Sequence, residues 1–116
     1  MTEINKLDEY QDATEQTALG YASSDESGDK METIIFLSLA LNGEAGEIAE
    51  KAKKYKREDD DSYLEELKDE LGDELWYLAR LADELDVSLS EVATRNVDKL
   101  LDREERDMIT GDGDNR

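Results

Sequence analysis

Apolar residues recur along this chain at steps of three and four, and nowhere alternate at steps of two over a useful length. The sharpest stripe is Leu64, Leu67, Leu71, Leu75, Leu78, Ala82 and Leu85, which predicts a helix from about Tyr63 to Asp86. Ahead of it, Ile34, Leu37, Leu41, Ala45, Ile48 and Ala52 predict a helix from about Met31 to Lys56. After it, Leu89, Val92, Ala93, Val97, Leu100 and Leu101 predict one that runs to about Glu105. A weaker stripe, Ile4, Leu7, Tyr10, Gln11, Thr14, Thr17, Ala18 and Tyr21, places a first helix over Ile4 to Tyr21.

Start signals agree with this division. Asp29 with Glu32 resembles a helix start, and Ser62 with Glu65 and Ser88 with Glu91 have capping-box spacing. The polar stretch from Ser23 to Asp29 reads as a loop, and Glu58-Asp59-Asp60-Asp61 breaks the second helix with like charge. Gly111 to Arg116 cannot stay helical for long, so residues 106–116 are expected to form a flexible tail. Proline is absent and glycine is scarce. The expected architecture is all-α: four amphipathic helices in a bundle-like fold, within one domain over residues 1–116.

Composition narrows the function. The 116 residues include 33 acidic and 14 basic side chains, for a net charge of −19. Such a chain has no electrostatic footprint for polymeric nucleic acid. No run of ~20 apolar residues is available to span a membrane, and no basic face to lie on one. Met1-Thr2-Glu3 lacks the basic and apolar regions of a secretory signal, so a cytoplasmic location is expected. Cysteine and histidine are both absent, which removes disulfides, thiolate metal sites and histidine-based catalysis. The same absence argues against a di-iron carboxylate bundle, whose sites use Glu-x-x-His. An apolar content of 37% in a chain this short makes a monomer marginal, so a homo-oligomer is expected.

Two runs stand out: Glu44-Ala45-Gly46-Glu47 and Glu70-Leu71-Gly72-Asp73. Each places two carboxylates three residues apart on one helix face, at a cost of a few tenths of a kcal/mol in repulsion. Each also carries a glycine, which costs about 0.5–1 kcal/mol against alanine inside a helix. Glycine lets a backbone or ligand approach closely, and paired acids tolerate each other around a divalent cation. Glu44 lies about 20° from Leu37 on the helical wheel, at the edge of the apolar stripe. Antiparallel packing of the two helices lets both pairs face one groove. Four such oxygens suit Mg2+ first and Mn2+ second. The competing reading is a solvated acidic face, since Glu47 with Glu50 and Asp83 with Asp86 share the spacing.

These runs in their setting, Leu41-Asn42-Gly43-Glu44-Ala45-Gly46-Glu47-Ile48-Ala49-Glu50 and Asp69-Glu70-Leu71-Gly72-Asp73-Glu74-Leu75-Trp76-Tyr77-Leu78, resemble the MazG-type all-α nucleotide pyrophosphohydrolases. The family signature is E-x-x-E, a variable spacer, then E-x-x-D; here 22 residues separate Glu47 from Glu70. The resemblance implies Mg2+-dependent hydrolysis of a nucleoside triphosphate, NTP or dNTP, to the monophosphate and pyrophosphate. It also implies a dimer or a tetramer of this chain. Carried over by position, Glu44, Glu47, Glu70 and Asp73 resemble the metal ligands and catalytic acids. Two departures stand beside it: Glu74 occupies a place expected to be apolar, and the loop before the second helix is unusually acidic.

Substrate contacts are expected from Lys51, one turn after Glu47, and from Asn96, Lys99 and Arg103 at steps of three and four. Asn96 falls within the apolar arc, where an amide needs a partner. Tyr77 shares a face with Asp73 and can stack a base; Trp76 points about 100° away and is expected in the core or between subunits. Tyr10 and Phe36 are expected in the core. The alternative function is a non-catalytic acidic helical bundle that binds a basic protein.

Overall fold

The computed structural model describes residues 2–110, and side chains over 2–107. The described residues form helices and turns without a strand: α1 Leu7–Thr14, single 3-10 turns at Glu15–Thr17 and Gly20–Ala22, α2 Ser24–Ser27, α3 Lys30–Glu58, α4 Ser62–Glu84 and α5 Leu89–Thr110. Lys51 of α3 meets Glu66 of α4, whereas Leu37 packs with Trp76, Tyr77 and Leu81, so the two long helices run antiparallel. Their seam positions recur at heptad-like spacing, which keeps one face of each helix against the other.

The starts of α3 and α5 follow the capping signals. Asp29 Oδ1 accepts from the Glu32 amide at 3.0 Å, and Ser88 Oγ accepts from the Glu91 amide at 3.1 Å. Ser62 does not cap α4. Its own amide donates to Asp60 Oδ1 at 2.9 Å, so the chain turns on Asp60 and the helix begins without a side-chain cap. That short aspartate bond offers the backbone a turn before the serine can act. Asp59, at φ 51°, ends α3 in the left-handed region.

The first segment departs most from expectation. α1 stops at Thr14, whose hydroxyl donates to the Gln11 carbonyl at 2.6 Å. The chain then reverses through Gly20, at φ 59°, and the expected loop at Ser23–Asp29 contains the single-turn helix α2. At the other end α5 continues to Thr110, past Glu105, so residues 106–110 are helical; the expected tail from 111 onward lies outside the described residues.

The buried interior is small. Ala18, Ala22 and Leu37 form one apolar cluster, and Ala79, Ala82 and Leu89 another. Between them runs a buried polar network. Gln11 donates to Asp83 Oδ1 at 2.9 Å and to the Val87 carbonyl at 3.0 Å, and accepts from the Leu89 amide at 2.7 Å. Arg80 pairs with Asp83 at 3.0 Å and donates to Thr14 Oγ1 at 3.1 Å. Glu84 accepts from the amide and hydroxyl of Ser24, at 2.8 and 2.7 Å. Sharing these bonds offsets the desolvation of each buried group.

α5 is anchored at its root. Beyond the Gln11–Leu89 bond, Asp8 accepts from the Ser90 amide at 3.0 Å and hydroxyl at 2.7 Å. Leu89 is 7% exposed, but Val97, Leu100 and Leu101 are 50–57% exposed. The radius of gyration is 17.4 Å, against about 13 Å for a compact chain of this length. A single chain is therefore all-helical without closing a four-helix bundle: its last helix projects, and the apolar stripe that was to face the bundle is left open. No described helix is long and apolar enough to cross a membrane.

Candidate metal centre

Helical registry brings Glu44 on α3 opposite Glu70 and Asp73 on α4. One carboxylate oxygen from each lies within 4.8 Å of the other two. Glu44 and Glu70 are half-buried and Asp73 is exposed. Burial holds the Glu44 carboxyl above its ordinary range; a hydrogen bond with Glu70 adds to this, followed by the charges of Asp73, Glu70 and Glu47. The cluster thus resists carrying all its negative charge without a proton or a cation.

The donor set fits a hard divalent ion. It is all carboxylate oxygen, and the chain has no histidine or cysteine to favour a softer metal. These three carboxylates would hold one hard cation such as Mg2+, which takes oxygens at ~2.0–2.1 Å.

The fourth acid of the sequence pattern stands apart. Glu47 is exposed, with its carboxylate 4.0 Å from Lys51 Nζ. Lys51 is only 18% exposed in its side chain and lies 3.7 Å from Glu66, so it bridges α3 and α4 beside the acids. Glu74 is half-buried, and its Oε2 has no hydrogen-bond partner. An ideal Cβ added at Gly46 or Gly72 meets nothing within 4 Å. Among the described residues, no backbone or side chain of the same chain makes the close approach expected at either glycine.

Beside the acids is a cavity of about 280 Å3, lined by Glu44, Asp73, Trp76 and Tyr77. Tyr77 is placed there as its helical face requires. Trp76 lines the same cavity rather than lying wholly in the core, because its indole turns toward the 3-10 segment, where Nε1 donates to Thr17 Oγ1 at 2.8 Å. Tyr10, expected in the core, is half-buried near Asp73. Its hydroxyl lies 3.5 Å from the Gly72 carbonyl, and burial first, then the Asp73 charge, raises its pKa. The stripe of α1 gave no sign of this, since the contact spans 62 residues.

The α5 residues lie elsewhere. Asn96 and Lys99 are exposed and line, with Val92 and Arg95, a separate groove of about 440 Å3. Arg103 is half-buried with its Nε lacking a hydrogen-bond partner. None of the three lines the carboxylate cavity.

Residues 32–107 match the family model described as the MazG nucleotide pyrophosphohydrolase domain. The chain belongs to that family. It is also 45% identical to the Gene 37 protein of Mycobacterium phage L5 over 114 residues, which covers 95% of this chain and 98% of that protein. No solved structure matches the chain. The family match begins in the first turn of α3, so α1, the two 3-10 turns and α2 precede it.

Proposed function

We propose that this protein hydrolyses a nucleoside triphosphate, NTP or dNTP, to the monophosphate and pyrophosphate, in nucleotide-pool control or house-cleaning. The observation that carries the reading is the convergence of Glu44, Glu70 and Asp73 within 4.8 Å in a chain of the MazG family. These three residues would hold Mg2+, or Mn2+ in its place, with Glu47 as the fourth acid. The bound cation supplies neutralisation of phosphate charge, which a chain of net charge −19 must provide locally. Lys51 adds the one half-buried positive charge next to the acids. Tyr77 offers a ring to the base. In the absence of histidine, a carboxylate of the cluster accepts the proton from the attacking water.

Asn96, Lys99 and Arg103 contact phosphate or sugar from α5. Because α5 projects from its own chain, they do so at the site of another copy, in a dimer or a tetramer. The protein acts in the cytoplasm as a single domain, without polymeric nucleic acid or membrane as partner.

The test is pyrophosphate release across the common NTPs and dNTPs, with Mg2+ and with a chelator. Glu70→Gln should reduce turnover by orders of magnitude while the helical signal is retained. Orthophosphate and a diphosphate as products would mean attack at the γ-phosphate and a different enzyme. Absence of hydrolysis with every nucleotide, together with tight capture of a basic protein, would favour the non-catalytic bundle.

A further inference from the structure

The cavity beside the carboxylates has two kinds of wall. Glu44 and Asp73 form the charged one; Trp76 and Tyr77, edge to face with ring centroids 5.1 Å apart and planes at 90°, form the aromatic one. The indole is fixed from outside the family-matched region. Thr17 Oγ1 accepts from Trp76 Nε1 at 2.8 Å and is 3.2 Å from the Thr14 carbonyl, to which it donates. Ala18 and Ala22 then pack on Leu37, with Trp76, Tyr77 and Leu81 against them. An aromatic side chain with its polar tip satisfied and its ring left half-exposed at a cavity is arranged to receive another flat group. About 280 Å3 falls below the ~300–1,000 Å3 of sites that enclose a whole ligand, so the space suits one ring system. Trp76 lies three residues from Asp73, a helical rise of ~4.5 Å, which leaves a sugar's length between the phosphate side and the ring.

The geometry points to Trp76 as the wall on which the nucleobase lies, with Thr17 as the residue that positions it, so that the segment before α3 governs base preference. This rests on the reading of the site as a nucleotide pyrophosphohydrolase centre. It assigns the indole a ligand contact on the face that does not pack on the Leu37 cluster. Thr17 acts only through the indole and touches no substrate.

Trp76 is the sole tryptophan, so indole fluorescence, excited beyond the tyrosine absorption band, reports this wall. The protein with Mg2+ is titrated with each nucleoside monophosphate, and with ribose 5-phosphate as a ligand that lacks the base. Saturable quenching by a monophosphate and none by ribose 5-phosphate is expected. Trp76→Leu should weaken monophosphate binding, read by calorimetry, roughly 5- to 150-fold, the range of one lost base–aromatic stack, and leave ribose 5-phosphate binding unchanged. Thr17→Val keeps the ring but frees it. It should raise KM several-fold for the preferred nucleotide, hold kcat, and narrow the differences among bases. Trp76→Phe, which keeps a ring without the Nε1 donor, should behave like Thr17→Val even if the leucine variant fails to fold. Equal quenching by ribose 5-phosphate, or unaltered base discrimination in Thr17→Val and Trp76→Phe, would overturn the assignment. Pyrophosphate release without base-dependent quenching overturns the base wall alone. Base-dependent quenching without any hydrolysis overturns the enzymatic reading and leaves the wall in place.

Discussion

Glu44→Gln isolates the electrostatics of the acidic cluster. The amide keeps the size and helix propensity of the side chain and can still donate to Glu70, but it carries no charge. Two like unit charges at 4.8 Å repel by ~0.9 kcal/mol at the permittivity of water and by ~3.5 kcal/mol at an effective value of 20. Glu44 takes part in two of the three pairs within the cluster. Partial exposure of the cluster puts the relief toward the low end, about 2 kcal/mol in all after solvent screening. For a domain of this size that raises the melting midpoint of the metal-free protein by about 5–10 °C. The effect has a pH sign. The folded Glu44 carboxyl sits above its ordinary value of 4.5. Its contribution to wild-type stability is therefore complete below that value and is lost as pH rises through the folded pKa. The variant's advantage should thus be larger at pH 8 than at pH 4. Thermal melts in chelator and in Mg2+, at fixed ionic strength, read both parts: wild type rises with Mg2+, whereas the variant starts higher and rises less. A chelator midpoint equal to or below that of wild type, or an undiminished rise with Mg2+, would refute the reasoning.

Three further outcomes are expected. Asp8→Ala should destabilise the protein at neutral pH. The Ser90 hydroxyl and amide hold the Asp8 carboxyl below its ordinary 3.8, so the wild-type advantage is present above that value and disappears as pH falls through the folded pKa; a denaturant series from pH 7 to pH 2.5 checks this. Gln11→Ala leaves the Leu89 amide, the Val87 carbonyl and one Asp83 oxygen without their shared partner, and should lower unfolding free energy by about 3 kcal/mol in urea. Gly72→Ala should raise stability by about 0.5–1 kcal/mol, since the added methyl meets open space; loss of turnover in that variant, with the fold intact, would show that substrate or a second copy comes close there.

The long stripes made α3, α4 and α5 readable to within a few residues, apart from the C-terminal extension to Thr110, because burial on one face imposes its period on the sequence. α1 was not readable to that extent. Its buried residues are Gln11 and Thr14, whose place depends on partners from α4 and α5 that no local pattern announces. The acidic pairs were legible as pairs, and three of the four acids meet. Glu47 does not: its carboxylate is exposed, 4.0 Å from Lys51 Nζ. Nothing in the local pattern marks Arg80 and Glu84 as buried; their burial at 3% and 6% follows from the chain doubling back over α4 after Thr14. The same return path sets Trp76 at the cavity while it still packs on the Leu37 cluster, since its donor needed the Thr17 hydroxyl.

The rooted but projecting α5 makes its successive turns unequal reporters. The turns near Leu89 and Ser90 are tied to Gln11 and Asp8 within the chain, so their amides resist solvent exchange at any dilution. From Val97 outward the apolar positions Val97, Leu100 and Leu101 are half or more exposed, and a helix of such length without packing is marginal in water. Amide exchange along this one element should therefore divide in two. The inner turns follow the unfolding of the chain, and the outer turns follow whatever surface comes to rest on Val97, Leu100 and Leu101, so that their protection rises with concentration when that surface is another copy.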